Sequence, residues 1–143
     1  MGIVAPNKMI SIISQTKTWL NTPYQHQGRL KGIGVDCSGL VIGVARELWL
    51  KNKYGQPIQD ISGYPRILKP DFLAAALLEQ FEPTQHPQPG DIILFRIKRT
   101  PQHLGLLTQD SFMHAYAEVG RVVETRWDDY WRERVIAYYK FGR

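Results

Sequence analysis

The chain has 143 residues, 43% hydrophobic and 22% charged, which suits one compact domain spanning 1–143 and leaves little room for a second. A net charge of +5 favours an anionic partner such as a wall polymer, although a mildly basic solvated surface accounts for it equally well. One cysteine excludes an intramolecular disulfide framework, no apolar run reaches the roughly 18 residues of a membrane span, and the N-terminus lacks a signal-peptide pattern.

Taken in chain order, the first expected element is a helix over 7–20, with Met9, Ile10, Ile13, Thr16 and Leu20 at helical spacing and Asn21-Thr22-Pro23 ending it. A polar, glycine-punctuated loop over 25–35 follows. A second helix begins at Asp36 or Cys37, where Cys37, Leu40, Val41, Val44 and Leu48 form one stripe. The proline-rich stretch 52–70 predicts an irregular surface connection, and 71–81 predicts a third helix carried by Leu73, Leu77 and Phe81. Beyond Pro89 the pattern becomes strand-like: 92–95, 103–108, 111–117, 121–125 and 134–141. Helices first and strands afterwards predict an α+β fold, with N-terminal helices packed on an antiparallel sheet of about five strands.

Cys37 is the first candidate for chemistry. A thiol attacks a carbonyl as thiolate, and a helix N-terminus favours that anion through its unpaired N–H groups. Asp36 is placed to cap the helix, and Gly34 and Gly39 suggest room for a substrate backbone. The plainer alternative is that a lone cysteine is a small buried hydrophobe.

The histidines at 103 and 114 supply a base. A hairpin turning at Gln109-Asp110 pairs Thr108 with Ser111, which sets His103 opposite Tyr116 and Gly105 opposite His114. The two imidazoles are then diagonal neighbours on one face, with Gly105 expected to leave that face open to the helix bearing Cys37. One ring can take the thiol proton while the other fixes its tautomer. The same three residues could instead hold zinc with a water, but no metal-ligand spacing accompanies them, so neither a metal nor another cofactor is expected. His26 is the one other histidine placed to line a cleft. Basic residues interleave with acids, as in Arg132-Glu133-Arg134, and no nucleic-acid partner is expected.

Thr22-Pro23-Tyr24, Asp36-Cys37-Ser38-Gly39-Leu40-Val41, Pro89-Gly90-Asp91, His103-Leu104-Gly105-Leu106 and Phe112-Met113-His114-Ala115 stand in the order found in the NlpC-type cell-wall cysteine peptidases, and the chain resembles that family over nearly its whole length. Tyr24-Gln25-His26-Gln27-Gly28, Val122-Val123-Glu124-Thr125 and Trp131-Arg132 resemble its small phage and gene-transfer-agent branch. The resemblance implies a circularly permuted papain-like domain with Cys37 as nucleophile, His103 as general base and His114 as its orienting partner. It further implies that Tyr24 shapes the oxyanion or substrate site and that Asp36 and Ser38 contact the substrate. The implied substrate is the peptide stem of bacterial peptidoglycan, cut between γ-D-glutamyl and a diamino acid, with phage-tail or gene-transfer-agent proteins as partners. A catalytically silent wall-binding or assembly protein and a thiol-dependent acyltransferase are the alternatives. The implied location is the virion, or the cytoplasm before release.

Overall fold

The computed structural model of the protein describes residues 6–98 and 100–142. Helix α1 (Pro6–Lys17) gives way to i→i+3 turns, Trp19 N–H to Thr16 O at 2.9 Å among them, before Asn21 takes a left-handed φ of 69°. The expected stripe is rotated, because Ile12, Thr16 and Trp19 are buried while Ile13 is half-buried; the side chains of Met9 and Ile10 lie outside the described ones. The loop that follows carries a small ribbon, β1 (Arg29–Leu30) with β2 (Gly34–Val35). Helix α2 runs Cys37–Glu47 with Asp36 as N-cap, as the sequence predicts. It is buried beyond the predicted stripe, at Ser38, Gly39, Ile42 and Ala45 as well.

Between α2 and α3 (Phe72–Gln80) the chain forms neither helix nor strand, yet it is more than a surface connection. Ile58 and Tyr64 are buried in it, and its later residues form one wall of the cleft described below. Isolated apolar residues among prolines show no period, so sequence alone gave them no inward face.

A six-stranded antiparallel sheet follows, built from β3 (Glu82–Thr84), β4 (Ile92–Ile97), β5 (Thr100–Leu107), β6 (Ser111–Tyr116), β7 (Arg121–Arg126) and β8 (Val135–Lys140). Their order is β3-β8-β4-β5-β6-β7, so β4 to β7 form a meander and β8 returns to the sheet's interior between β3 and β4. The strand beyond the five expected is β3, three residues long and exposed at its first two positions, too short for alternation to mark it. The α+β fold is otherwise the one the sequence predicts.

The sheet is covered on both faces, which explains the unbroken apolar run of β4. Ile92 and Leu94 join the larger core with α1, α2 and α3, whereas Ile93 and Phe95 join a second cluster with Phe112 and Trp131. Trp131 comes from a short helix, α4 (Asp129–Arg132), capped by Asp128, whose side chain accepts from the Trp131 N–H. No described helix is long and apolar enough to cross a membrane.

Candidate active site

Cys37 opens α2 where the ribbon loop folds back onto the helix. Asp36 Oδ1 accepts from Gly39 N–H at 2.8 Å, satisfying one of the free donors of the first turn. The loop presses so closely there that a Cβ at Gly39 would stand 2.3 Å from Gly28 O, and one at Gly34 would meet Gln25 Oε1 at 2.2 Å. The space at these glycines is therefore filled by the protein's own loop, not kept for a substrate.

The Cys37 sulfur receives the backbone N–H of Leu104 and hydrogen bonds from Ser38, all of which favour thiolate. Burial outweighs them, and with the Asp36 charge it pushes the thiol up to about 11. At rest Cys37 thus carries a neutral thiol: the helix N-terminus favours the anion, and burial outweighs it.

His103 and His114 meet as the hairpin register predicts. Leu107 pairs with Phe112 and Leu106 with Met113, Thr108 N–H donates to Ser111 O at 2.9 Å, and Nε2 of His103 lies 2.7 Å from Nδ1 of His114. His114 Nε2 in turn lies 2.8 Å from Thr125 Oγ1 on β7. With Nε2 of His103 spent on its neighbour, Nδ1 is the nitrogen left to take a thiol proton. Donation in one direction, His103 to His114 to Thr125, keeps a lone pair on that Nδ1.

The face they occupy differs from the expected one. Leu104, Leu106 and Ala115 turn toward the helices, whereas His103 and His114 lie among Phe95, Phe112, Tyr116 and Trp131. A Cβ on Gly105 would touch the Phe95 and Phe112 rings at 3.2 and 3.3 Å, so this glycine admits aromatic packing and does not open a path to α2. In this box His103 is 6% and His114 0% exposed. Burial pushes the His103 imidazole down to about 4, and burial together with the His103 charge pushes His114 lower still.

Cys37 and His103 nevertheless share one cleft of about 260 Å³, at the end of the sheet where α2 begins. Tyr24, Asp36 and Ser38 line it too, as does His26, which faces the carbonyl of Tyr64 at 3.2 Å. The far wall is Tyr64, Pro65, Arg66 and Leu68, and Ile97, Lys98, Tyr116 and Glu118 close the remaining sides. Burial, then Cys37 and Asp36, push the Tyr24 phenol up to about 12, so it stays protonated and able to donate. Asp36 is fully engaged with protein donors: besides Gly39, its carboxylate accepts from Gln27 N–H at 2.8 Å, Arg29 Nη1 at 2.9 Å and the Tyr64 hydroxyl. Among the described residues no cluster of His, Cys, Asp and Glu could hold a metal ion.

Thr125 and Trp131 were missed as functional residues in the sequence. Both fall within branch-resemblance motifs, which was their only signal; nothing in local spacing announces that Trp131 covers both imidazoles, with ring centroids 6.0 and 5.1 Å away. Tyr64 lay hidden in the irregular stretch.

The model of the NlpC/P60 family matches residues 21–140. No curated protein sequence matches the chain. Among solved structures, it is similar to an NLP/P60-family protein described as similar to lipoprotein, from Staphylococcus aureus (TM-score 0.68, 18% identity, 98% of this chain and 43% of that one). It is also similar to NlpC2 from Trichomonas vaginalis (0.72, 17%, 98% and 50%) and to the peptidoglycan hydrolase RipB from Mycobacterium tuberculosis (0.60, 18%, 94% and 64%). The chain spans half the length of the first two or less, and at these identities the likeness speaks for fold alone. The match over 21–140, which takes in Cys37 with its cap, both histidines and all strands of the sheet, makes this chain a member of the NlpC/P60 family.

Proposed function

We propose that the chain is a cysteine peptidase that hydrolyses an amide bond in the peptide stem of bacterial peptidoglycan, between γ-D-glutamyl and a diamino acid. The observation that carries this reading is that His103, bonded at 2.7 Å to the buried His114 behind it, lines one cleft with Cys37, the only thiol of the chain. Family membership and the naming of one structural neighbour as a peptidoglycan hydrolase support the substrate class.

Because thiol and imidazole are both neutral at rest, the proton moves from Sγ to His103 Nδ1 as the sulfur approaches the carbonyl. The S–C bond forms, and the oxyanion takes a hydrogen bond from Tyr24 and from backbone N–H groups at the start of α2. His103 returns the proton to the leaving nitrogen as the C–N bond breaks. Water, deprotonated by the same ring, cleaves the thioester and restores the thiol, with His114 holding His103 in its productive tautomer throughout. Ser38 and Asp36 act at the base of the cleft, Asp36 by holding the loop and helix together. The reading extends to one catalytic unit over 1–143, to a phage-tail or gene-transfer-agent setting with tail proteins as partners, and to residence in the virion or in the cytoplasm before release.

Purified sacculi incubated with the protein should release muropeptides whose masses identify the bond, and Cys37→Ala should release none while keeping the fold. Equal release by the two proteins would sink the assignment. One observation favours a second reading, a wall-binding protein without catalysis: the thiol is held protonated by burial and Asp36. Binding of wild type to sacculi with no fragment released would select it.

A further inference from the structure

Asp36 sets a problem for the site it supports. Its carboxylate caps α2 and ties down the loop, yet it adjoins the residue whose sulfur must become negative during attack. Arg29 answers this with all of its donors. Nη1 gives to Asp36 Oδ1 at 2.9 Å and to Gly28 O at 2.8 Å, Nη2 to Tyr64 Oη at 2.9 Å and Ile61 O at 2.5 Å, and Nε to Asp60 Oδ1 at 2.9 Å. The ion pair is mostly screened from water, the two side chains being 21% and 4% exposed, so its field persists where an exposed pair's would fade. Tyr64 closes the ring by donating its hydroxyl to Asp36 while accepting from Arg29.

We propose that Arg29 is a positioning residue for the nucleophile: it offsets the capping carboxylate beside Cys37 and, through Asp60, Ile61 and Tyr64, pins the cleft wall to the same point. The proposal rests on Cys37 being the nucleophile and extends that reading to a residue that does not line the cleft. A plain staple between loop and wall would need the forked geometry of arginine but not its charge. A charge-offsetting role needs the charge first, and this is what separates the two accounts. The cleft that holds the thiol is lined by Asp36, Tyr24, His26 and Tyr64 from the loop and wall, by His103 from β5 and by Tyr116 from β6. Arg66, Lys98 and Glu118 stand exposed around the cleft, where water screens them.

The test is the rate of Cys37 alkylation by iodoacetamide against pH in the full chain. Arg29→Met should raise the midpoint by about one unit, making alkylation roughly tenfold slower at neutral pH. Arg29→Lys should hold the wild-type midpoint even if its Tm falls, and the double variant Arg29→Met with Asp36→Asn should return to it, since asparagine still caps the helix without charge. An unmoved midpoint in folded Arg29→Met, a lysine variant that shifts as far as methionine, or a double variant that stays shifted would each overturn the proposal. Should Arg29→Met fail to fold, Tyr64→Phe decides, with a smaller rise expected and no rise overturning it. Alkylation needs no peptidoglycan, so a chain that cleaves no stem peptide still tests Arg29, while the Cys37→Ala assay tests the peptidase reading on its own.

Discussion

Nε2 of His103 and Nδ1 of His114 stand 2.7 Å apart across a hairpin whose turn is only Gln109 and Asp110. Because the bond occupies the nitrogen of His103 remote from its task, the orientation of one ring depends on the tautomer of the other. His114→Ala should therefore lower kcat by about 10²-fold with little change in KM, and His103→Ala by 10³-fold or more. Steady-state kinetics on a stem peptide checks this; a loss confined to KM in the His114 variant would contradict an orienting role.

Thr125 extends the same chain of donors, taking the Nε2 proton of His114 at 2.8 Å. Thr125→Val keeps the shape and removes the acceptor, leaving a buried N–H unpaired at a cost of about 1–3 kcal/mol. The expected result is a several-fold drop in kcat together with a lower Tm, and Thr125→Ser should recover both. Failure of serine to rescue would assign Thr125 to packing.

Acid should destabilise the fold. The His103 imidazole is pushed from its ordinary 6.5 to about 4, so between those values the unfolded chain binds a proton the folded chain refuses, and stability falls as pH falls. For His103 alone this amounts to about 2 kcal/mol between pH 7 and pH 5, with His114 acting in the same sense. Asp91, whose carboxyl burial pushes up to about 6, works the other way and returns about 1 kcal/mol. Thermal melts should show a lower Tm at pH 5 than at pH 7 and a smaller difference in His114→Gln. A larger difference in that variant would place the acid sensitivity elsewhere.

Trp131 touches both imidazoles, Phe95 and Phe112 and is 6% exposed. Trp131→Ala should cost about 3–5 kcal/mol of stability. Trp131→Phe should cost less yet still lower kcat, because a smaller ring frees the histidines to turn. Retained kcat in a folded phenylalanine variant would limit Trp131 to the core.

The histidine register was legible in the sequence because two turn residues and a period of two fix every pair in a hairpin. The start of α2 was legible because Asp36 precedes a helical stripe. The face carrying the histidines was not, since β4 over Ile92–Phe95 and β6 over Ser111–Ala115 are buried on both sides and alternation cannot choose between two cores. Trp131 stands 17 residues from His114 and Tyr64 stands 28 from Asp36, separations beyond the reach of local pattern. The burial that opposes the helix N-terminus at Cys37 was not legible for a related reason, desolvation being a property of the packed site that no spacing encodes.

The place of β8 bears on how the protein is made. Val135–Lys140 is the last of the described strands to leave the ribosome, yet its seat is inside the sheet, against Ile92–Phe95 on one side and β3 on the other. Until it arrives, the hairpins bearing the imidazoles present an open apolar flank, the kind of edge that recruits a second nascent chain. A polypeptide ending before residue 135 would hold every group proposed for chemistry on a meander whose β4 edge stays uncovered, so the expected fate of such a product is self-association and not a slow enzyme.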